Sequence, residues 1–354
     1  MKVLLLGEYS GLHNCLKDGL KHRHVDADIA SDGDGFKKFP TDLNFVSPFS
    51  ASSLAGRICK NLKPFSMLSK FRDYDLVQFI NPMILSPRFG VNSAFVERVL
   101  DNSRKSYLLA AGDDYYYHSI VHSLRYNPVD DCLLIDQAGE TPWTRPDMKA
   151  TNEKLAARVT RIIPMAYEYW LGYSSNPKCN RVIPMPININ KYKYKANKVS
   201  KKLVFCHGVY RAGFKGSRFI KAAFEQMQPR YGHCAEFIIR DRVPIAEYVG
   251  LVERANVIVD QVLSYSYAMN ALISMAMGKV VMSGAEEEIL SFYEYGPCPV
   301  VNIQPDVQQI CERIEWLIEN RQRIPELGET SRSYVEANHS HLLVADKFLN
   351  AWNS

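Results

Sequence analysis

"NVIVDQVLSYSYAMNALISMAMGKVVMSG", residues 256–284, is the stretch whose reading decides the fold. It opens on a short, wholly apolar run, Val257–Val259, of the kind that fills a strand buried on both faces. A polar loop follows, from Asp260 to Tyr267, and then helical spacing over Met269–Met277. A glycine at 278 closes the helix, and a second apolar run, Val280–Met282, begins at once. Strand, helix and strand in so few residues describe a βαβ crossover, and hence a parallel sheet. The apolar part is broken by Asn270, Ser274 and Lys279, so it falls short of the roughly 18 residues a membrane helix needs.

The same grammar extends outward. "KLVFCHG", "AEFIIRD" and "KVVMSG" read as strands, and "SRFIKAAFEQM" and "PIAEYVGLVERA" as helices. "SGAEEEIL" opens a further helix, with Ser283 and Glu286 at capping-box spacing. Toward the amino terminus, "KVLLLG", "VDADIAS", "LNFVS", "YDLVQFINP" and "SYLLAAGDD" read as strands, with helices over "HNCLKDGLKH" and Ser93–Asn102. Between the halves, "VIPMPININKYKYKANKVSKK" is rich in proline and basic residues and reads as a linker. The expectation is an α/β protein of two Rossmann-like parallel-sheet domains, 1–186 and 187–335, with a C-terminal helical segment, 336–354, packing back toward the first domain. The tail is read as helical from about Pro325, with a break near His339–His341.

The 354 residues exceed what a single core ordinarily organises. Net charge is +5, too weakly basic to argue for nucleic acid, and no basic stripe is interleaved with aromatics. Eight cysteines are scattered with no CxxC pair, which excludes zinc-ribbon spacing and suits reduced thiols in the cytoplasm. The first apolar run is too short for a secretory leader.

In parallel α/β folds ligands bind beyond the carboxyl ends of the strands. The most suggestive such place is "FCHGVYRAGFKGS". There a strand ends at His207, a glycine-rich loop carries Arg211 and Lys215 between Gly208 and Gly216, and a helix begins near Ser217. Two cations at a helix start suit phosphate oxygens. An ordinary basic surface loop has the same composition. The loop Tyr265–Asn270 leads into a helix start whose first N–H groups lack intrahelical partners. "GDDYYYH" places Asp113 and Asp114 at a strand end, where they suit either acceptor contact or a helix N-cap. "SDGDG", residues 31–35, contains an Asp-x-Asp, but it follows a strand and reads as a turn rather than a metal site.

"HGVYRAGFKGSRFIKAAFE" and the opening stretch together resemble the group-1 retaining glycosyltransferases of the GT-B fold, whose two Rossmann-like domains face across a cleft. The resemblance covers most of the C-terminal half and only loosely the N-terminal "GEYSGLHNCLKDGL". It implies a metal-independent, retaining, hexosyltransferase-like enzyme of polysaccharide biosynthesis, moving a sugar from a nucleotide-sugar to a saccharide or lipid-linked acceptor. No cofactor is implied, the nucleotide-sugar being a co-substrate. Carried onto this sequence, the catalytic residues are Arg211 and Lys215, which hold the donor diphosphate and stabilise the leaving nucleotide, and His13, which faces the cleft from the acceptor domain. Gly208, Gly216, Asp260, Tyr265, Ser266, Tyr267, Asn270 and Glu286 border the donor, and Asp113 and Asp114 the acceptor. The family's paired glutamates fall here on Tyr265 and Ile273, with Asp260 or Glu286 as substitutes, or Glu286 as a helix cap. A non-catalytic homologue acting as a binding module and a sugar-nucleotide epimerase on the same scaffold are the alternative readings.

Residues 57–72, "RICKNLKPFSMLSKFR", mix five basic side chains with apolar ones. They suit either peripheral contact with an anionic membrane at its inner face or a mobile basic loop.

Overall fold

The computed structural model describes residues 1–50, 52–135, 141–293 and 295–353. The chain forms two units. The first comprises residues 1–120, 140–186 and 341–354, and the second comprises 121–139 and 187–340. Residues 121–135, which the sequence reading left in the first domain, therefore group with the second. The last change of unit falls between Ser340 and His341.

The first unit is built on β1 (Lys2–Leu6), β2 (Asp26–Ser31), β3 (Leu43–Asn44), β4 (Leu76–Phe79), β5 (Ser106–Ala110) and β6 (Arg161–Pro164). All pair in parallel, in the order β3-β2-β1-β4-β5-β6. The order reverses between β1 and β4, where Leu6 pairs with Phe79. That reversal is the switch point at which doubly wound sheets open a crevice. Leu4, Leu6, Val77, Phe79 and Leu108 have essentially no exposure and pack with Phe95 and Val99 from the helix Val91–Asn102.

The C-terminal helix His341–Asn353 belongs to this unit and lies on the helix Leu12–His22. The approach is so close that a Cβ on Gly19 would stand 2.1 Å from the His341 carbonyl oxygen. Arg23 forks onto both oxygens of Asp346 at 2.6 Å. The Trp352 indole donates to Gln78 Oε1 at 3.1 Å, and the Tyr107 hydroxyl donates to the Trp352 carbonyl at 2.8 Å.

The second unit holds β7 (Leu203–Val209), β8 (Ala235–Asp241), β9 (Val257–Val259), β10 (Val280–Ser283) and β11 (Val301–Asn302). They are parallel, in the order β11-β10-β9-β7-β8, with the switch between β7 and β9. Phe205, Val257, Val280 and Met282 fill one core with Ile220, Ile310 and Ile314 from the flanking helices.

Three strands depart from the sequence reading, and all are edges of their sheets. β3 is only two residues long, and β6 and β11 are short runs, RIIP and VN, that the sequence reading does not single out. β6 ends in Pro164, whose missing N–H is tolerated where one side of the strand is open. The capping box at Ser283–Glu286 does not form. Ser283 is the last residue of β10, its buried hydroxyl makes no hydrogen bond, and the helix Glu287–Tyr293 begins later. Asn302 Oδ1 takes the Ala285 N–H at 2.8 Å instead.

Candidate functional site

In the second unit, the loops beyond β7 and β9 meet at the switch point. Lys215 ends the short helix Ala212–Lys215. Its Nζ donates to the Gly208 carbonyl at 2.9 Å and to Asp260 Oδ1 at 2.8 Å. Asp260 follows β9 and is fully buried. Asn270 Nδ2, on the first turn of the helix Met269–Ala276, donates to the same Oδ1 at 2.5 Å, while the buried Oδ2 makes no hydrogen bond. Two glycines hold this geometry. A Cβ on Gly208 would meet the Tyr248 ring at 2.7 Å. Gly216, at φ +66°, turns the chain from Lys215 into the next helix, where a Cβ would strike Val262 at 2.5 Å. Arg211 lies at the surface, its guanidinium 4.5 Å from the Phe214 ring centre and one nitrogen 3.7 Å from Cys132 Sγ. Arg211, Lys215, Gly208, Gly216, Asp260 and Asn270 thus come from one loop cluster at the strand ends.

Other expected donor residues have different partners. The Tyr265 hydroxyl accepts from the Arg125 backbone N–H at 2.7 Å and from Arg125 Nε at 3.2 Å. Glu286 accepts at Oε1 from Tyr126, Asn302 and Gln304, and at Oε2 from Arg125. Both oxygens are taken, so Glu286 acts as the anchor of the segment 121–135 rather than as an open acceptor for a donor hydroxyl. Next along the segment, Arg218 forks onto Asp131 at 2.7 and 3.0 Å, and a Cβ on Gly213 would stand 2.4 Å from the Asp131 carbonyl. Tyr267 turns away into an aromatic cluster, its hydroxyl 2.9 Å from Tyr334 Oη and 3.0 Å from His339 Nε2. Ser266 is buried, and its carbonyl receives Gln261 Nε2 at 2.9 Å. His207, at the end of the same strand as Gly208, is also internal. Its two nitrogens contact the Val259 carbonyl and the Ser217 hydroxyl, and burial lowers its pKa to about 4.

In the first unit, His13 does not present a ring nitrogen to solvent. It has no exposure, Nδ1 lies 2.7 Å from the Gly7 carbonyl, and Nε2 lies 3.3 Å from Gln78 Nε2. With the Gln78 amide donating, Nε2 accepts and the proton sits on Nδ1. Burial lowers the pKa to about 4, so the ring is neutral. Asp114 is likewise internal. Oδ1 caps the Tyr117 N–H at 2.8 Å and Oδ2 accepts from the Tyr173 hydroxyl at 2.5 Å. Of its two sequence readings, the N-cap is the one the structure contains. Asp113 is half-buried beside it, its carbonyl receiving Asn81 Nδ2 at 3.0 Å. The Asp-x-Asp at 32–34 forms no metal cluster, and no group of three or more His, Cys, Asp or Glu residues is arranged for a metal among the described residues.

Sequence reasoning missed Arg125, Tyr126 and Asp131, because nothing in "HSLRYNPVDD" marks it as part of the second unit. Glu8, just after β1, falls within the strand-end candidates Gly7–His13 but is not singled out by the sequence. This carboxyl is 3% exposed, and burial pushes its pKa up to about 7.

No protein-family model and no curated protein matches the chain. Solved structures do. Anabaena HepE in complex with UDP and glucose superposes over 100% of both chains, at 12% identity and a TM-score of 0.61. The fold is GT-B. Sucrose-phosphate synthase from Thermosynechococcus elongatus matches at 13% identity and a TM-score of 0.61, covering 100% of this chain and 98% of its own. UDP-GlcNAc 2-epimerase from Neisseria meningitidis, bound to UDP-GlcNAc, matches at 12% identity and 0.57, over 99% of each chain. At these identities the likeness establishes the GT-B architecture of the two parallel sheets and leaves the chemistry to the residues.

Proposed function

We propose that the protein is a metal-independent, retaining glycosyltransferase that takes a UDP-linked sugar as donor and a saccharide or lipid-linked saccharide as acceptor. The observation that carries this reading is Lys215. Its ammonium is held by Asp260 and the Gly208 carbonyl at the β7/β9 switch point, on the same loop as Arg211. A cation fixed in advance beside a departing diphosphate stabilises the charge that grows there as the glycosidic bond breaks, without reorganisation cost. Several GT-B structures similar to this one hold UDP or a UDP-sugar, which supports the choice of nucleotide. The epimerase among them supports a second reading, sugar-nucleotide epimerisation, which uses the same donor site.

Melting temperature measured with and without UDP tests the donor site, since a ligand that binds only the folded state stabilises it by mass action. Wild type is expected to gain several degrees at millimolar UDP. Arg211→Ala, a surface change, is expected to melt like wild type without nucleotide and to lose most of that gain. An unchanged gain in Arg211→Ala would remove this arginine from the donor site. Product analysis with UDP-sugar alone separates the two reactions, because only an epimerase alters the sugar without an acceptor.

A membrane-facing surface accompanies this reading. In the helix Leu54–Leu62, Leu54, Ile58 and Leu62 are all exposed at four-residue spacing, on one face, with Arg57 and Lys60 beside them. Residues 45–72 contain no acidic side chain. Phe65, Met67, Leu68 and Phe71 of the expected amphipathic stretch instead pack on the core of the first unit. An apolar stripe edged by basic residues suits anionic lipid. Co-flotation with anionic but not zwitterionic liposomes, reduced by Ile58→Asp, is expected, and equal flotation of the variant would remove the surface.

A further inference from the structure

The loops after β1 and β2 form one structure in the first unit. Ser10 N–H donates to Asp34 Oδ2 at 2.8 Å, and Lys37 Nζ donates to Ser10 Oγ at 2.9 Å and to Asp34 Oδ2 at 2.6 Å. Asn14 Nδ2 joins Glu8 Oε2 at 2.6 Å to the Pro40 carbonyl at 3.1 Å. The backbone is left-handed at Ser10, Asp34 and Lys38, none of them glycine, as well as at Gly7, Gly11, Gly33 and Gly35. Non-glycine residues in this region store strain and persist only where the surrounding structure holds them.

Within this clasp Glu8 is asymmetric. Oε2 accepts from Asn14 N–H at 2.9 Å and from Asn14 Nδ2, whereas Oε1, buried with it, has no donor in hydrogen-bond geometry, although the His13 backbone N–H stands near the carboxyl and favours its charge. Buried polar atoms in folded proteins are nearly always paired, so an orphaned carboxylate oxygen calls for a donor from outside the chain. It lies where β1 ends, at the reversal of strand order in this sheet, where ligands of such folds bind. Lys37 pairs with Asp34, no ion pair reaches Glu8 among the described residues, and two carboxylates disfavour an anion.

We propose that Glu8 Oε1 accepts a hydrogen bond from a hydroxyl of a neutral saccharide, making the clasp of Glu8, Ser10, Asp34 and Lys37 the acceptor-selecting site of the first unit. As an acceptor site it rests on the glycosyltransferase reading; as a saccharide site it does not. Burial raises the Glu8 pKa to about 7, so the ionised carboxylate gains most from a hydroxyl that donates to Oε1.

Glu8→Gln tests it sharply. Its amide oxygen can stay on the Asn14 donors, which turns the NH2 to the orphan position and replaces an acceptor by a donor. Saturation-transfer NMR on UDP-saturated protein would use the methyl glycosides of glucose, galactose, mannose and N-acetylglucosamine, with methyl glucuronide as the anionic probe. At least one neutral glycoside is expected to bind wild type, with affinity lowered about tenfold or more in Glu8→Gln, and the glucuronide is expected to bind more weakly. Glu8→Asp, which keeps a carboxylate but draws the oxygen back, is expected to weaken binding too and serves if Glu8→Gln folds poorly. No neutral glycoside bound by wild type, or unchanged affinity in the folded variants, overturns the proposal. UDP stabilisation of wild type and Glu8→Gln is read in parallel. A UDP gain without Glu8-dependent glycoside binding sinks this inference alone. Glu8-dependent binding without any UDP gain sinks the glycosyltransferase reading alone.

Discussion

Lys215→Ala is expected to destabilise the second unit by about 3–5 kcal/mol, because it leaves a buried carboxylate without its counter-charge. The Lys215 side chain is 14% exposed and that of Asp260 is fully buried, so little water is at hand to compensate. Loss of nucleotide binding in that variant alone would therefore be ambiguous. Lys215→Met combined with Asp260→Asn resolves it. The asparagine carbonyl can still receive Asn270 Nδ2, no net charge remains buried, and most of the stability lost in Lys215→Ala is expected to return. Stabilisation by UDP is expected to stay absent in this double variant, and transfer to fall by about 10²–10³-fold if the lysine stabilises the leaving diphosphate. Urea unfolding and melting with UDP measure both parts. A double variant that UDP protects like wild type would place the diphosphate elsewhere.

Trp352→Ala is expected to destabilise the first unit by about 3–5 kcal/mol, the usual cost of emptying a large buried aromatic site. Trp352 is 1% exposed, packs against Phe348 and Tyr107, and holds Gln78 through its indole N–H. Gln78 in turn contacts His13, and His13 contacts the Gly7 carbonyl. The damage should therefore reach the loop that carries Glu8, and neutral-glycoside binding should fall along with stability. If the two units unfold in separate steps, only one step should move. A single unshifted transition would show that the C-terminal helix contributes little to the first unit.

The chemistry of the two histidines and of Asp114 shows where sequence reading has its limit. His13 follows a strand and a glycine turn, as catalytic histidines often do, yet its partners are Gln78, 65 residues away, and the Gly7 carbonyl. Asp114 stands at a strand end like a ligand-binding carboxylate, yet Tyr173, far along the chain, takes one of its oxygens. In each case local sequence places the residue at the right end of the sheet, and only a distant partner decides whether its polar atoms face ligand or core. Glu286 and Tyr265 follow the same rule, their partners arriving on residues 125 and 126. Lys215 and Asp260 are the exception that the sequence reached. Asp260 directly follows β9, and Lys215 stands a few residues past β7, between Gly213 and the left-handed turn at Gly216.

The sequence by itself determined the α/β class, the central strands of both sheets, the glycine-bounded loop of Arg211 and Lys215, and the GT-B resemblance that the structure bears out. Buried parallel strands announce themselves as continuous apolar runs, and phosphate-type loops as glycine and cations at fixed offsets. The tertiary structure alone decided the edge strands β6 and β11 and cut β3 to two residues, because runs of two to four residues are too short to leave a pattern. It alone placed residues 121–135 in the second unit, through ion pairs and hydrogen bonds to side chains more than 80 residues away. And it alone exposed the orphaned oxygen of Glu8, since whether a buried carboxylate is satisfied depends on which groups the fold brings within hydrogen-bond reach.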